Sequence, residues 1–149
     1  MKSKQNELKV ERNYNYTISV IDGKGKKLHF RDITGEDLEF LDRIIQNSKE
    51  NETDKHLSLD EIIEILSFLS IKKLDFRNLT TNALLDIFEI VKENILCNYM
   101  SKYDWLRGCY GIQNGSFTNL GAMEKVPMTK FTAMIQVHEE AIESINKST

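Results

Sequence analysis

Residues 14–21 (Tyr-Asn-Tyr-Thr-Ile-Ser-Val-Ile) alternate apolar and polar side chains, and residues 27–31 resume the alternation after Asp22-Gly23-Lys24-Gly25-Lys26. Period-two patterning interrupted by Asp-Gly punctuation predicts a β-hairpin over residues 14–31. A lone hairpin is marginal in water, so its apolar face needs helices to lie on. Residues 1–13 carry almost no apolar side chains and are expected to fray as a flexible tail.

After residue 33 the period changes from two to 3.6. Thr34-Gly35-Glu36-Asp37 supplies a capping hydroxyl and first-turn acids, and Leu38, Leu41, Ile44 and Ile45 follow as one stripe. Residues 47–55 are polar and predict a loop. Ser58 with Glu61 spells a capping box that opens a second helix carrying Ile62, Ile63, Ile65, Leu66 and Leu69. Thr80 or Thr81 starts a third, with Leu84, Ile87, Phe88, Val91, Ile95 and Met100 at helical spacing. A short helix over residues 103–110 is expected to stop at Gly111. An irregular stretch follows, with a turn at residues 113–116 and a loop bracketed by Gly121 and Pro127. Thr129 caps the last helix, in which Phe131, Met134, Ile135, His138, Ile142 and Ile145 share a face. The sum is an α+β fold, mostly α. A single domain over residues 14–149 is expected, its hairpin (14–31) packed on a helical body (34–149) of four to five helices.

Composition narrows the function classes more than it names one. Hydrophobic residues at 40% and charged residues at 29% describe an ordinary globule, which excludes a disordered or collagen-like chain. The most apolar stretch, residues 62–69, contains Glu64 and is far shorter than the roughly 20 residues of a membrane span. The N-terminal lysines have no apolar stretch behind them, so no secretory signal is readable and a cytoplasmic location is expected, host cytoplasm if the protein is viral. Charge is uneven: residues 1–31 hold eight Lys/Arg against three acids, residues 32–149 twelve against twenty. The basic end lacks arginine clusters, and nucleic-acid binding is not expected.

Motifs for catalysis or metal binding are hard to find. His29, His56 and His138 fall in three elements with no second ligand at i+3 or i+4, so neither a metal nor another cofactor is implied. Gly23-Lys24-Gly25-Lys26-Lys27 has the composition of a phosphate loop but is followed by a strand rather than a helix N-terminus. Cys97 and Cys109 match no redox or zinc spacing and are expected to be core thiols. An enzyme would have to assemble its site from dispersed residues, with Asp104, Arg107 and His138 as the candidates.

One segment concentrates the aromatic content. Tyr99, Tyr103, Trp105, Leu106, Arg107, Tyr110 and Phe117 fall within twenty residues, interleaved with Asp104, Gln113 and Asn114. Aromatics with arginine and amides are the composition of a partner-binding anchor. The same residues would equally serve to seal the core between the third and last helices, and the pattern alone leaves both readings open.

At the hairpin-to-helix junction, the run Leu-His-Phe-Arg-Asp-Ile-Thr-Gly-Glu-Asp-Leu-Glu-Phe-Leu (residues 28–41) resembles the opening of tail and baseplate-hub assembly chaperones of tailed bacteriophages. The likeness covers residues 14–41. It implies binding without chemistry: the protein would hold an apolar segment of a tail or baseplate partner until assembly, on an exposed apolar groove with a charged rim. The alternative is a permanent structural subunit of a virion or organellar complex, which would stay in the finished particle.

Overall fold

A computed structural model describes residues 8–51, 57–115 and 119–148. It is α+β and mostly α. Three antiparallel strands, β1 (Lys9–Arg12), β2 (Ile18–Ile21) and β3 (Lys27–Phe30), form a meander in the order β1-β2-β3. Six α-helices follow: α1 (Leu38–Asn51), α2 (Leu59–Leu69), α3 (Thr81–Asn94), α4 (Lys102–Ile112), α5 (Leu120–Met123) and α6 (Met128–Ser148).

The sheet corrects the hairpin in two ways. A third strand, β1, lies inside the stretch expected to be a tail, with Val10 opposite Val20 and Arg12 opposite Ile18. All four of its side chains are exposed. It joins through backbone hydrogen bonds, which leave no apolar alternation to read. Residues Tyr14–Tyr16, expected to open the first strand, form a 3-10 turn in which Asn15 and Tyr16 have φ of 64° and 60°. The β2–β3 turn is closed by Asp22, whose Oδ1 accepts the backbone N–H groups of Lys24 and Lys26 at 2.9 Å, while Gly25 takes a φ of +84°. Ile18, Val20 and Phe30 are buried on the sheet face that meets the helices.

The outer edge of β3 is covered by the end of α2. Arg31 N–H donates to Leu69 O and Ile71 N–H to His29 O, both at 2.9 Å. Capping follows the sequence at two places: Thr34 and Asp37 form a reciprocal box before α1, and Ser58 and Glu61 one before α2. Thr80 accepts from Ala83 N–H and so fixes the start of α3. That helix ends at Asn94, short of the expected Met100, and a 3-10 turn at Leu96–Asn98 leads toward α4, which Ser101 caps. Helix α4 runs through Gly111 to Ile112 rather than stopping at the glycine, and α1 continues to Asn51 into the stretch expected to be loop. The turn over residues 113–116 and the irregular stretch after it are described except for residues 116–118.

The last helix is capped from far away. It begins at Met128, and the carboxylate that accepts Thr129 N–H is Asp32 Oδ2, at 2.9 Å across 97 residues. Asp32 Oδ1 accepts Ile33 N–H at 2.9 Å, and Met128 N–H donates to Ile33 O at 2.7 Å. Burial pushes the Asp32 carboxyl above the usual range, against the lowering effect of these donors. The buried apolar side chains form one cluster in which Phe30, Leu38, Leu66, Val91, Trp105 and Phe131 are central.

Candidate functional site

The aromatic segment divides between surface and core. Trp105 is fully buried, stacked on Phe131 with ring centroids 5.7 Å apart, so it is a core seal and not a partner anchor. The reason is Gly35: its missing side chain leaves the space the indole fills, and an added Cβ would run into the ring. Lys102 lies over the indole, its Nζ 4.3 Å from the ring centroid, while donating to Gly35 O at 2.8 Å. Leu106 is half-buried against the same core. Tyr103 (69% exposed), Arg107 and Tyr110 are on the exposed side of α4, with the Arg107 guanidinium 5.9 Å from the Tyr103 ring centroid. Phe117 lies outside the described residues.

Tyr99 belongs to a different feature. Between α1, α2 and α3 runs a groove of about 540 Å³, floored by Leu41, Ile45, Ile62, Ile65 and Phe88. Leu85, 44% exposed, stands on its α3 wall. Among the described residues its charged lining groups are Glu89 and Lys92, which pair with each other at 3.2 Å and so cancel. Tyr99 closes one end, its hydroxyl donating to Asp42 Oδ1, while Asp42 Oδ2 accepts Lys102 N–H at 2.9 Å. Burial, reinforced by the Asp42 carboxylate, holds the Tyr99 hydroxyl well above its ordinary pKa and keeps it a donor. The groove is apolar with a neutral polar rim and one fixed hydroxyl, a surface suited to an apolar side-chain row rather than to a reaction.

Sequence reasoning placed these leucines and isoleucines in helix stripes and missed the groove. A signal was present in doubled apolar positions: Ile44-Ile45, Ile62-Ile63 and Leu84-Leu85 are each wider than one core-facing stripe requires. In the first and last of these pairs the leading residue is buried and the second, Ile45 or Leu85, lines the groove, whereas in the middle pair the buried Ile62 lines it and Ile63 does not.

Other chemistry-bearing residues are dispersed. Asp104, Arg107 and His138 share no hydrogen bond or ion pair with one another among the described residues, and no described group of His, Cys, Asp and Glu could hold a metal ion. Ser19 Oγ and His29 Nδ1 are 2.8 Å apart across β2 and β3, and Asn13 Nδ2 donates to the same Oγ at 2.8 Å. Ser19 is buried, so this pair ties the sheet to its first loop and does not meet a substrate. His56 lies outside the described residues. Among the described residues no helix is long and apolar enough to cross a membrane.

The cysteines also separate. Cys97 is exposed, contrary to the expectation of a core thiol, because it falls in the 3-10 turn Leu96–Asn98 and not on a helix stripe; Cys109 is buried. Burial pushes the Cys109 thiol up to about 11. About one part in a thousand of it is therefore ionised at pH 8. Alkylation of the native protein at that pH is expected to modify Cys97 within minutes and Cys109 only after denaturation, as peptide mass mapping would show. Equal labelling of both in the native state would contradict the burial.

No protein-family model matches the chain, and neither the curated proteins nor the solved structures contain a detectable match.

Proposed function

We propose that this protein is a non-enzymatic interaction factor that holds an amphipathic helical segment of a partner protein in the groove between α1, α2 and α3. The observation that carries the proposal is the groove itself: apolar side chains from three helices line an open channel whose rim charges cancel. A helix docking there would present apolar residues at i, i+3, i+4 and i+7. The likeness of residues 28–41 to phage tail and baseplate-hub chaperones supports an assembly-chaperone role, in which such a segment is shielded until its own tail or baseplate site forms.

The test compares the native protein with Leu85→Glu, which places a charge on the groove wall at an exposed position and should leave the fold intact. Tagged protein is recovered from its source, and both the soluble fraction and the finished particle are examined by mass spectrometry. One soluble partner should co-purify with the native protein and bind the variant at least about tenfold more weakly, and the protein itself should be absent from the finished particle. Stoichiometric presence of the protein in the particle would make it a structural subunit. Unchanged binding by Leu85→Glu would remove the groove from the reading.

A further inference from the structure

The three-stranded sheet has two outer edges, and among the described residues the chain covers only one of them. Along β3, Arg31 N–H donates to Leu69 O, Ile71 N–H to His29 O, and Phe30 bridges Ser70. Strand β1 is the other edge; its side chains are all exposed, and no described segment pairs with its far side. The direction of its backbone groups follows from the register. Asn13 N–H donates to Thr17 O at 2.9 Å, which makes these two a hydrogen-bonded pair, and by alternation Glu11 with Ser19 and Lys9 with Ile21 are the pairs bonded to β2. The bond from Asp22 N–H to Lys26 O sets the same phase on the β3 side, where Ile18 and Val20 are the bonded residues of β2. The N–H and C=O groups of Leu8, Val10 and Arg12 therefore point outward, away from β2.

A row of free donors and acceptors is a template for another strand. About Val10 the segment is self-complementary: an antiparallel second copy sets Val10 against Val10, Leu8 against Arg12, and Lys9 against Glu11 in both directions. Outward-pointing residues then meet outward-pointing residues, so Val10 exchanges both backbone bonds with Val10 of the second copy, and Leu8 does so with Arg12 at either end. Lys9 and Glu11 fall in the closer, non-hydrogen-bonded pairs, on the face opposite the Val10 and Val20 side chains, and opposite charges at such positions attract. The adjacent registers that keep the hydrogen bonds set Lys9 against Lys9 or Glu11 against Glu11, and the next beyond Glu11 sets Arg12 against Arg12. Charge thus selects one register, and that register has a twofold axis at Val10. Existing contacts leave it free: the Arg12 guanidinium reaches back to Asn94 Oδ1 at 2.9 Å, Glu11 is 3.7 Å from Lys27 across its own sheet, and Lys9 has no ion pair among the described residues.

We infer that β1 pairs with β1 of a second copy of this chain, antiparallel and centred on Val10, joining two three-stranded sheets into one of six strands. The twofold axis stands perpendicular to the sheet, so the buried faces of both copies lie on the same side of it. The assembly closes at two, because the outer edges of the joined sheet are then the two β3 strands, each covered by the end of its own α2. Strand β1 is short, and the contact belongs to the weak, exchanging class that buries less than about 1,200 Å². The charges that keep an exposed edge from indiscriminate pairing here also admit a single partner.

Sedimentation velocity of the full chain up to about 1 mM, read together with amide hydrogen exchange by NMR at low and high concentration, tests the pairing. The native protein should approach a dimer and nothing larger. Its Val10 and Arg12 amides should become protected as concentration rises, while those of Lys9 and Glu11, bonded to β2, are protected throughout. Lys9→Glu and Glu11→Lys should each weaken self-association at least about tenfold with unchanged circular dichroism. Mixed in equal amounts, the two variants should pair with each other at least as tightly as the native chain, since every contact between these positions is then between opposite charges. Val10→Pro removes an outward N–H that β2 does not use, and should weaken the dimer while the Lys9 and Glu11 amides stay protected. A native chain that stays monomeric over this range, a dimer whose Val10 and Arg12 amides remain unprotected, a single variant that associates like the native chain, or a mixture that stays monomeric would each overturn the inference. None of these outcomes touches the α1/α2/α3 groove, so the proposed function is judged separately.

Discussion

Trp105→Ala is expected to lower the stability of the fold by about 3–5 kcal/mol, the range for deleting a large buried aromatic side chain. The ring is fully enclosed between Phe131, Gly35 and the Lys102 side chain. Removing it opens a cavity that Gly35, having no side chain, cannot fill. It also strips Lys102 of the ring its ammonium lies on, leaving that ammonium to Gly35 O and to Glu124 at 3.9 Å. For a chain of this size the loss should move the melting temperature by roughly 6–20 °C. Trp105→Phe separates shape from polarity. The indole N–H has no hydrogen-bond partner among the described residues, so phenylalanine forfeits only ring volume and should cost clearly less. Urea unfolding followed by circular dichroism measures both; a midpoint for Trp105→Ala equal to the native one would show that the indole is not core.

Asp37→Ala should be the second large loss, about 3 kcal/mol, the lower end for breaking a buried charge pair because Arg31 is one-third exposed. Asp37 accepts from Arg31 Nη1 at 2.6 Å and from Thr34 N–H at 2.9 Å, and so joins the end of β3 to the start of α1. Arg31 in turn donates to Phe68 O and lies 4.7 Å from the Phe68 ring centroid, which carries the linkage on to α2. Alanine at 37 removes the cap and leaves the guanidinium without its counter-charge in one step. Asparagine keeps an acceptor for the Thr34 amide and should recover part of the loss. A double-mutant cycle with Arg31→Met isolates the pair, and a coupling energy near zero would show that Asp37 acts only as a cap.

What could be read from the chain follows the range of the interactions involved. Ser58 and Glu61, or Thr34 and Asp37, are three residues apart, and their boxes are visible because the partners are adjacent in sequence. The helix stripes were legible for the same reason. Strand β1 was not, since its exposed Lys-Val-Glu-Arg side chains take no part in what holds it. The placement of Trp105 turned on Gly35, 70 positions away, whose contribution is the absence of a side chain. Tyr99 entered the aromatic segment by composition, yet its place at the groove end depends on Asp42, 57 residues earlier. The groove left a partial trace in the doubled apolar positions. The pairing of α1, α2 and α3 that turns those positions toward one channel is tertiary and has no local signature.

The long-range cap on α6 bears on how the chain folds as it is made. Asp32, Ile33 and Thr34 are among the first residues after the sheet, and their partners Met128, Thr129 and Pro127 are made more than ninety residues later. Until those emerge, the Asp32 carboxylate lacks the Thr129 amide, and the strand-like segment behind it lacks the backbone partner that covers it. The loop to be closed spans 97 residues, so the closing contacts come late and together. Synthesis from the N-terminus therefore leaves the Asp32 cap and the Thr34–Pro127 bridge open until the start of α6 has emerged.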